Sequence, residues 1–189
     1  MPAIASVREA YKGWLRILVA GIAGGDGRTF SREVEDHGRA VAVLPFDPAR
    51  RVGLVISQFR APVAFCDPSA GDIVEPIAGI QDSVSPEECA RREAMEEAGI
   101  RLATLEPVAT CWTMPGVSTE RMTLFLAEYR AGDRVGEGGG LASEHEVIVV
   151  HEWPLRRLAD LVQAGANLDM KLAVLVQALR LRRPDLFAP

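Results

Sequence analysis

The stretch that most constrains this chain is Ser85-Pro86-Glu87-Glu88-Cys89-Ala90-Arg91-Arg92-Glu93-Ala94-Met95-Glu96-Glu97-Ala98-Gly99-Ile100. It predicts a helix with both ends marked. Ser85 with Glu88 is a capping box, Pro86 suits the first helical position where a missing N–H costs nothing, and Gly99 supplies a left-handed stop. At about 100° per residue, Glu93, Glu96 and Glu97 fall on one side of this helix. Helix electrostatics oppose that arrangement. Glu93 and Glu97 are like charges four apart, which costs roughly 0.2–0.5 kcal/mol. Both lie in the last turns, where the dipole favours cations. A hard divalent cation with oxygen ligands would balance such carboxylates. A solvated acidic face, balanced by Arg91 and Arg92, is the alternative that spacing leaves open.

Composition narrows the setting. A chain of 189 residues can bury a sizeable core and suits one domain with a small appendage. The net charge of −5 leaves no basic footprint for nucleic acid and no polybasic patch for a membrane. Cys66, Cys89 and Cys111 are scattered without a CxxC pair, which fits a reducing cytosol. The apolar run near the start is broken by Arg16, and no segment reaches the roughly 18 apolar residues of a membrane span. The expectation is a cytoplasmic protein with no nucleic-acid and no membrane partner.

Read in order, Trp14 to Ile22 and Thr29 to Glu35 are β-rich runs about Gly24-Gly25-Asp26-Gly27, a hairpin. Ala40 to Leu44 and Val52 to Ser57 are short apolar strands around the turn Asp47-Pro48-Ala49-Arg50. Ala61 to Asp72, with its prolines and glycine, reads as a mobile loop, and Ile73-Val74-Glu75 as a short strand. Further β-type segments lie near Leu102–Thr113, Arg121–Tyr129 and Val147–Val150. Gly138-Gly139-Gly140 lacks the Lys-Ser/Thr and helix start of a phosphate loop and reads as a flexible hinge. Leu155 to Ala164 and Asp169 to Arg182 have the spacing of amphipathic helices. This mixture predicts an α/β (α+β) domain, helices covering a mixed sheet. The front hairpin has little core of its own and should pack on the main domain or on a second copy of the chain.

The full string resembles the Nudix box, whose second half runs Arg-Glu-U-x-Glu-Glu-x-Gly-U with U aliphatic. Arg92 to Ile100 fits that half. In the first half, counted from Gly79, the place of the box's leading glutamate is held by Ser85, and the spacer to Arg92 is one residue short. The likeness extends over most of Trp14 to Leu181. Ser31-Arg32-Glu33, Gln58-Phe59-Arg60, Glu75-Pro76-Ile77-Ala78-Gly79 and Pro115-Gly116-Val117-Ser118-Thr119-Glu120-Arg121 look like the ADP-ribose pyrophosphatase branch. The related GDP-mannose pyrophosphatases share the short box with Pro86 and Cys89, and Ala127-Glu128-Tyr129 followed by the glycines.

The resemblance implies a Nudix fold, with residues 1–38 an N-terminal helix/β-hairpin dimerisation region exchanged in a homodimer and 39–189 the Nudix hydrolase domain. It implies hydrolysis of the pyrophosphate of a nucleoside diphosphate sugar with Mg²⁺, Mn²⁺ being an alternative. ADP-ribose, giving AMP and ribose 5-phosphate, is narrowly preferred to GDP-mannose. A Nudix-fold module that binds a nucleotide sugar with little catalysis is the reading from another class. Carried over by position, Glu93, Glu97, Glu96, Glu146 and the Ala78 carbonyl are metal contacts. Glu144 is the base, Glu146 being the alternative, and Glu97 is counted with it in the catalytic set. Arg32, Arg60, Glu75 and Glu120 touch substrate, structural salt bridges being the alternative for each. His145 reads as a solvated loop residue, and Cys89 as a helix-packing residue rather than a nucleophile.

Overall fold

The computed structural model describes residues 1–141 and 147–188. Contacts along the chain divide it into two compact units, Met1–Ala40 with Thr110–Met122, and Val41–Ala109 with Thr123–Pro189.

In the first unit β1 (Ala3–Lys12), β2 (Arg16–Ala23) and β3 (Thr29–Asp36) form an antiparallel sheet in chain order. The hairpin is the expected one. Its turn is closed by Gly27 at φ +82° and by the Asp26 carboxylate, which accepts the Arg28 N–H at 3.1 Å. The N-terminal helix is not there: Ala3–Lys12 is a strand paired from Ala23 back to Arg16. The pairing carries register shifts between Ile4 and Ser6 and between Glu9 and Tyr11. Every residue of β1 is exposed, and the strand is held by its backbone pairing with β2.

The chain continues with β4 (Arg39–Asp47), β5 (Val52–Phe59), α1 (Ala61–Cys66), β6 (Asp72–Glu75), β7 (Ile77–Ile80) and α2 (Pro86–Ala98). Then follow β8 (Glu106–Trp112), β9 (Arg121–Glu128), β10 (Ile148–Pro154), α3 (Leu155–Ala164) and α4 (Met170–Arg182). The seven-stranded sheet has the order β10-β5-β4-β9-β8, with β6 on β5 and β7 on β4. It is mixed. β10, β5 and β6 pair antiparallel, whereas the bonds Arg121 N–H to Gly38 O and Tyr129 N–H to Phe46 O run β9 parallel to β4. β4 is buried from Ala40 to Asp47, as expected of a strand covered on both faces.

Val41, Val43, Leu54, Ile56, Ile77 and Phe125 meet the α2 side chains Cys89, Ala90, Ala94 and Ala98 in one core. The small residues let α2 lie close to the sheet, so its acidic side chains are carried at a fixed height above β7. A polar lock sits at the end of β4. Arg50 donates to both Glu152 oxygens at 2.8 Å and to Asp47 at 2.6 Å, and the Tyr129 hydroxyl donates to Glu152 at 2.6 Å. The Arg50 guanidinium, with the Tyr129 hydroxyl, holds the Glu152 carboxyl below its ordinary range against the opposing effect of burial. No helix among the described residues is long and apolar enough to cross a membrane.

Two expectations are corrected. Ala61 to Asp72 is not a loop throughout: Ala61–Cys66 is a short helix with a proline in its first turn, where proline is tolerated. The triple glycine is a docked strap rather than a hinge. Gly138, Gly139 and Gly140 have φ of +75°, +118° and +78°. Gly139 N–H donates to Glu97 O at 2.9 Å and Gly140 N–H to Glu96 O at 3.2 Å, satisfying carbonyls that the end of α2 leaves unpaired. A Cβ on Gly138 would stand 2.3 Å from Glu97 O and 2.6 Å from Ala98 Cα. Close approach of two backbones, not flexibility, is what these glycines serve.

Candidate functional site

α2 is capped at both ends as its sequence dictates. The Ser85 side chain accepts the Glu88 N–H, the Glu88 carboxylate accepts the Ser85 N–H at 3.1 Å, and Gly99 is left-handed at φ +61°. This sets the helix register, and hence where its carboxylates stand. Glu97 is 2% exposed and accepts the Ala78 N–H on Oε2 at 3.1 Å. Glu93 lies one turn earlier, against Gly79. A Cβ on Gly79 would be 2.2 Å from Glu93 Cδ and 2.5 Å from both its oxygens, so the carboxylate occupies the space a side chain would need. Glu96 is partly exposed on the same stretch. The structure therefore brings Glu93 and Glu97 together with the Ala78-Gly79 backbone.

Arg92 braces this end. Its Nη2 donates to Glu93 Oε1 at 3.0 Å and its Nη1 to Asp82 Oδ2 at 2.8 Å. Cys89, fully buried beneath, has its Sγ 3.9 Å from Glu93 Oε1. Burial first, then the Glu93 charge, push its thiol up to about 11, so at neutral pH it is protonated and packs as a small apolar residue. Among the described residues no group of three His, Cys, Asp or Glu side chains converges as a ready cage for a metal. The donors present are carboxylate and backbone oxygens on rigid elements. That set fits Mg²⁺, which keeps several waters and needs few protein ligands.

A second cluster gathers at the end of β6. Arg60 donates from Nε to both Glu75 oxygens at 3.1 Å and from Nη2 to Oε2 at 2.5 Å, a forked ion pair on a carboxylate that is 4% exposed. Lys171 Nζ stands 3.9 Å from Glu75 Oε1 and 2.7 Å from Asp169 Oδ2, while Asp169 Oδ1 caps α4 by accepting the Leu172 N–H at 2.8 Å. The expected residues Arg60 and Glu75 are thus joined directly. Sequence reasoning does not find Lys171. Its only local signal is the cap residue Asp169, and its approach to Glu75 is a tertiary fact.

Arg32 and Glu120 belong to the first unit. Arg32 is exposed, its guanidinium 4.7 Å from the centre of the Phe30 ring, where cation and ring attract. Glu120 Oε1 is 3.4 Å from His37 Nδ1, which makes no hydrogen bond among the described residues. Thr119 Oγ1 accepts the His37 N–H at 2.9 Å and the Gly38 N–H at 3.2 Å, tying this segment to the end of β3. Glu144, His145 and Glu146 lie outside the described residues.

With this geometry in place, the chain can be set beside known proteins. A family model described as NUDIX domain matches residues 36–171. A GDP-mannose pyrophosphatase of Cronobacter sakazakii is 39% identical over 151 residues, covering 80% of this chain and 78% of the relative. A GDP-mannose pyrophosphatase of Yersinia enterocolitica is 36% identical over 146 residues, covering 77% and 75%. A crystal structure of an ADP compounds hydrolase superposes with a TM-score of 0.77 over 97% of this chain and 95% of that one, at 18% identity, a likeness of fold.

Proposed function

Since this chain belongs to the NUDIX family, we propose that it hydrolyses the pyrophosphate bond of a nucleoside diphosphate sugar. The observation that carries the proposal is the pairing of Glu93 and Glu97 with the Ala78-Gly79 backbone, an oxygen-rich corner held on both sides. The sequence alone leans to ADP-ribose. The relatives named GDP-mannose pyrophosphatase, up to 39% identical over most of their length, move the weight to GDP-mannose, giving GMP and mannose 1-phosphate. ADP-ribose, giving AMP and ribose 5-phosphate, is the second reading, favoured by Ser118-Thr119-Glu120-Arg121.

Glu93, Glu97 and the Ala78 carbonyl would hold Mg²⁺ (Mn²⁺ being the alternative ion), with Glu96 and Glu146 as further contacts. When bound, such ions polarise phosphoryl oxygens, lower the pKa of water and stabilise the leaving phosphate. The chain's own part is positioning. Gly79 leaves room for the Glu93 carboxylate, and Ala78 N–H aims Glu97. Arg60 and Lys171 are cations beside a buried carboxylate, placed to orient the diphosphate or the sugar, with Glu75 fixing both. Arg32 and Glu120 are assigned to substrate as well. Glu144 takes the proton from the attacking water.

Residues 1–38 are assigned to dimerisation and 39–189 to the hydrolase domain. The exposed apolar side chains Ile4, Val7, Tyr11 and Trp14 support a second copy as their cover. The described cysteines are all free, in keeping with a reducing, cytoplasmic setting.

The test is a phosphate-release screen of GDP-mannose, ADP-ribose and other nucleotide sugars with Mg²⁺, coupled to phosphatase. Turnover of GDP-mannose that Glu97→Gln abolishes in a folded protein is expected. Silence on every compound would favour a module that binds without catalysis.

A further inference from the structure

We infer that Asp82 is a positioning residue for the metal carboxylate Glu93, acting through Arg92. The inference rests on the metal reading above. In the box this chain resembles, an acidic residue stands where Ser85 is. Here Ser85 is committed to the start of α2, accepting the Glu88 N–H and giving its own N–H to the Glu88 carboxylate. The acidic partner that Arg92 takes beyond its own helix comes from the turn before that helix. Asp82 Oδ1 accepts the Val84 N–H at 3.2 Å, which folds the turn back, and Gln81 Nε2 donates to Val84 O at 2.9 Å. That leaves Asp82 Oδ2 at 2.8 Å from Arg92 Nη1.

The guanidinium is a rigid planar fork, so fixing one arm fixes the other. With Nη1 on Asp82, Nη2 lies 3.0 Å from Glu93 Oε1. The chain Val84 N–H, Asp82, Arg92, Glu93 therefore links the loop backbone to the carboxylate above Gly79. Removing Asp82 frees one arm of the fork and loosens one of the restraints on the Glu93 carboxylate, while the core beneath α2 is untouched. The Asp82 side chain is 54% exposed, so its removal leaves no buried group unpaired.

Mn²⁺ binding to the full-length protein, followed by electron paramagnetic resonance in the wild type, Asp82→Ala, Arg92→Ala and the double variant, tests this. Asp82→Ala should weaken Mn²⁺ about three- to fivefold, the scale of a half-exposed ion pair, with its melting temperature near the wild-type value. The double variant should match Arg92→Ala, because two residues acting in series do not add. Asp82→Asn, whose side-chain oxygen still accepts from Val84, isolates the charge if the alanine disturbs the turn. It should weaken Mn²⁺ in the same direction. Unchanged Mn²⁺ binding in Asp82→Asn, or additive losses in the double variant, would overturn the inference while leaving the metal reading standing. No Mn²⁺ binding by the wild type would overturn both.

Discussion

Gly79→Ala separates the site from the fold more cleanly than any charge removal. The new Cβ would start 2.2 Å from Glu93 Cδ. Carbon atoms rest at about 3.5–4.0 Å, so the carboxylate must retreat by about 1.5 Å. The stability cost is small for three reasons. Gly79 is not among the residues at positive φ, so alanine fits the backbone. The atom displaced is the end of a flexible side chain. The ion pair that gives way, Arg92 Nη2 to Glu93 Oε1, is partly exposed and worth roughly 0–1 kcal/mol. Alanine also restricts the unfolded chain, returning about 0.4–1 kcal/mol. The melting temperature should stay within about 4 °C of wild type, given about 2–4 °C per kcal/mol for a chain of this size. Function should respond quite differently. A reacting group misplaced by about 1 Å can cost about a hundredfold in rate, so kcat/KM should fall by about that factor, with a higher Mg²⁺ requirement. Paired melting curves and Mg²⁺-dependent rates on the preferred nucleotide sugar decide the matter. A folded Gly79→Ala protein with wild-type rate and wild-type Mg²⁺ dependence would refute the placing of Glu93 in the site.

Gly138→Ala should behave oppositely. Forcing alanine to φ +75° costs about 1–2 kcal/mol, and lifting the strap off Glu96 O and Glu97 O costs about 1 kcal/mol per hydrogen bond. A drop in melting temperature of about 6–16 °C is expected, from about 2–4 °C per kcal/mol; a drop under about 2 °C would show that the strap is not seated. Glu152 supplies a pH prediction. Its carboxyl titrates lower when folded, so it contributes stability above the unfolded value near 4.5 that is lost as pH falls through the folded one. Melts between neutral and acid pH should steepen below that value, and Glu152→Gln should flatten the slope. A variant with an unchanged slope would refute the lock. Iodoacetamide at neutral pH should label exposed Cys66 and spare Cys89, read by mass spectrometry of the native protein; rapid labelling of Cys89 would contradict its buried, protonated state.

What can be read from the letters is what local rules encode. Ser85, Glu88, Pro86 and Gly99 punctuate α2 by bonds within a few residues, and both ends fall where those residues place them. The hairpin about Gly24–Gly27 and the helix Leu155–Ala164 are legible for the same reason. The glycine strap reads as a hinge because its partners, Glu96 O and Glu97 O, lie about forty residues back in sequence, and a glycine needed for close approach looks like one needed for freedom. The helix expected in the N-terminal region comes from the family resemblance and not from the letters of Ala3–Lys12, which pair as a strand along β2. Within the site, the carboxylates of α2 are legible from spacing together with the box resemblance. Their braces are not: Asp82 on Arg92 and Lys171 beside Glu75 depend on which turns and helix starts the fold brings together.

The most direct test of the central claim is a crystal structure with Mg²⁺ and a nucleotide sugar whose bridging oxygen is replaced by methylene. An ion held by Glu93 and Glu97 with the Ala78 carbonyl is expected, with the diphosphate lying against it. An ion bound elsewhere, with Glu93 and Glu97 turned to solvent or to arginine alone, would contradict it.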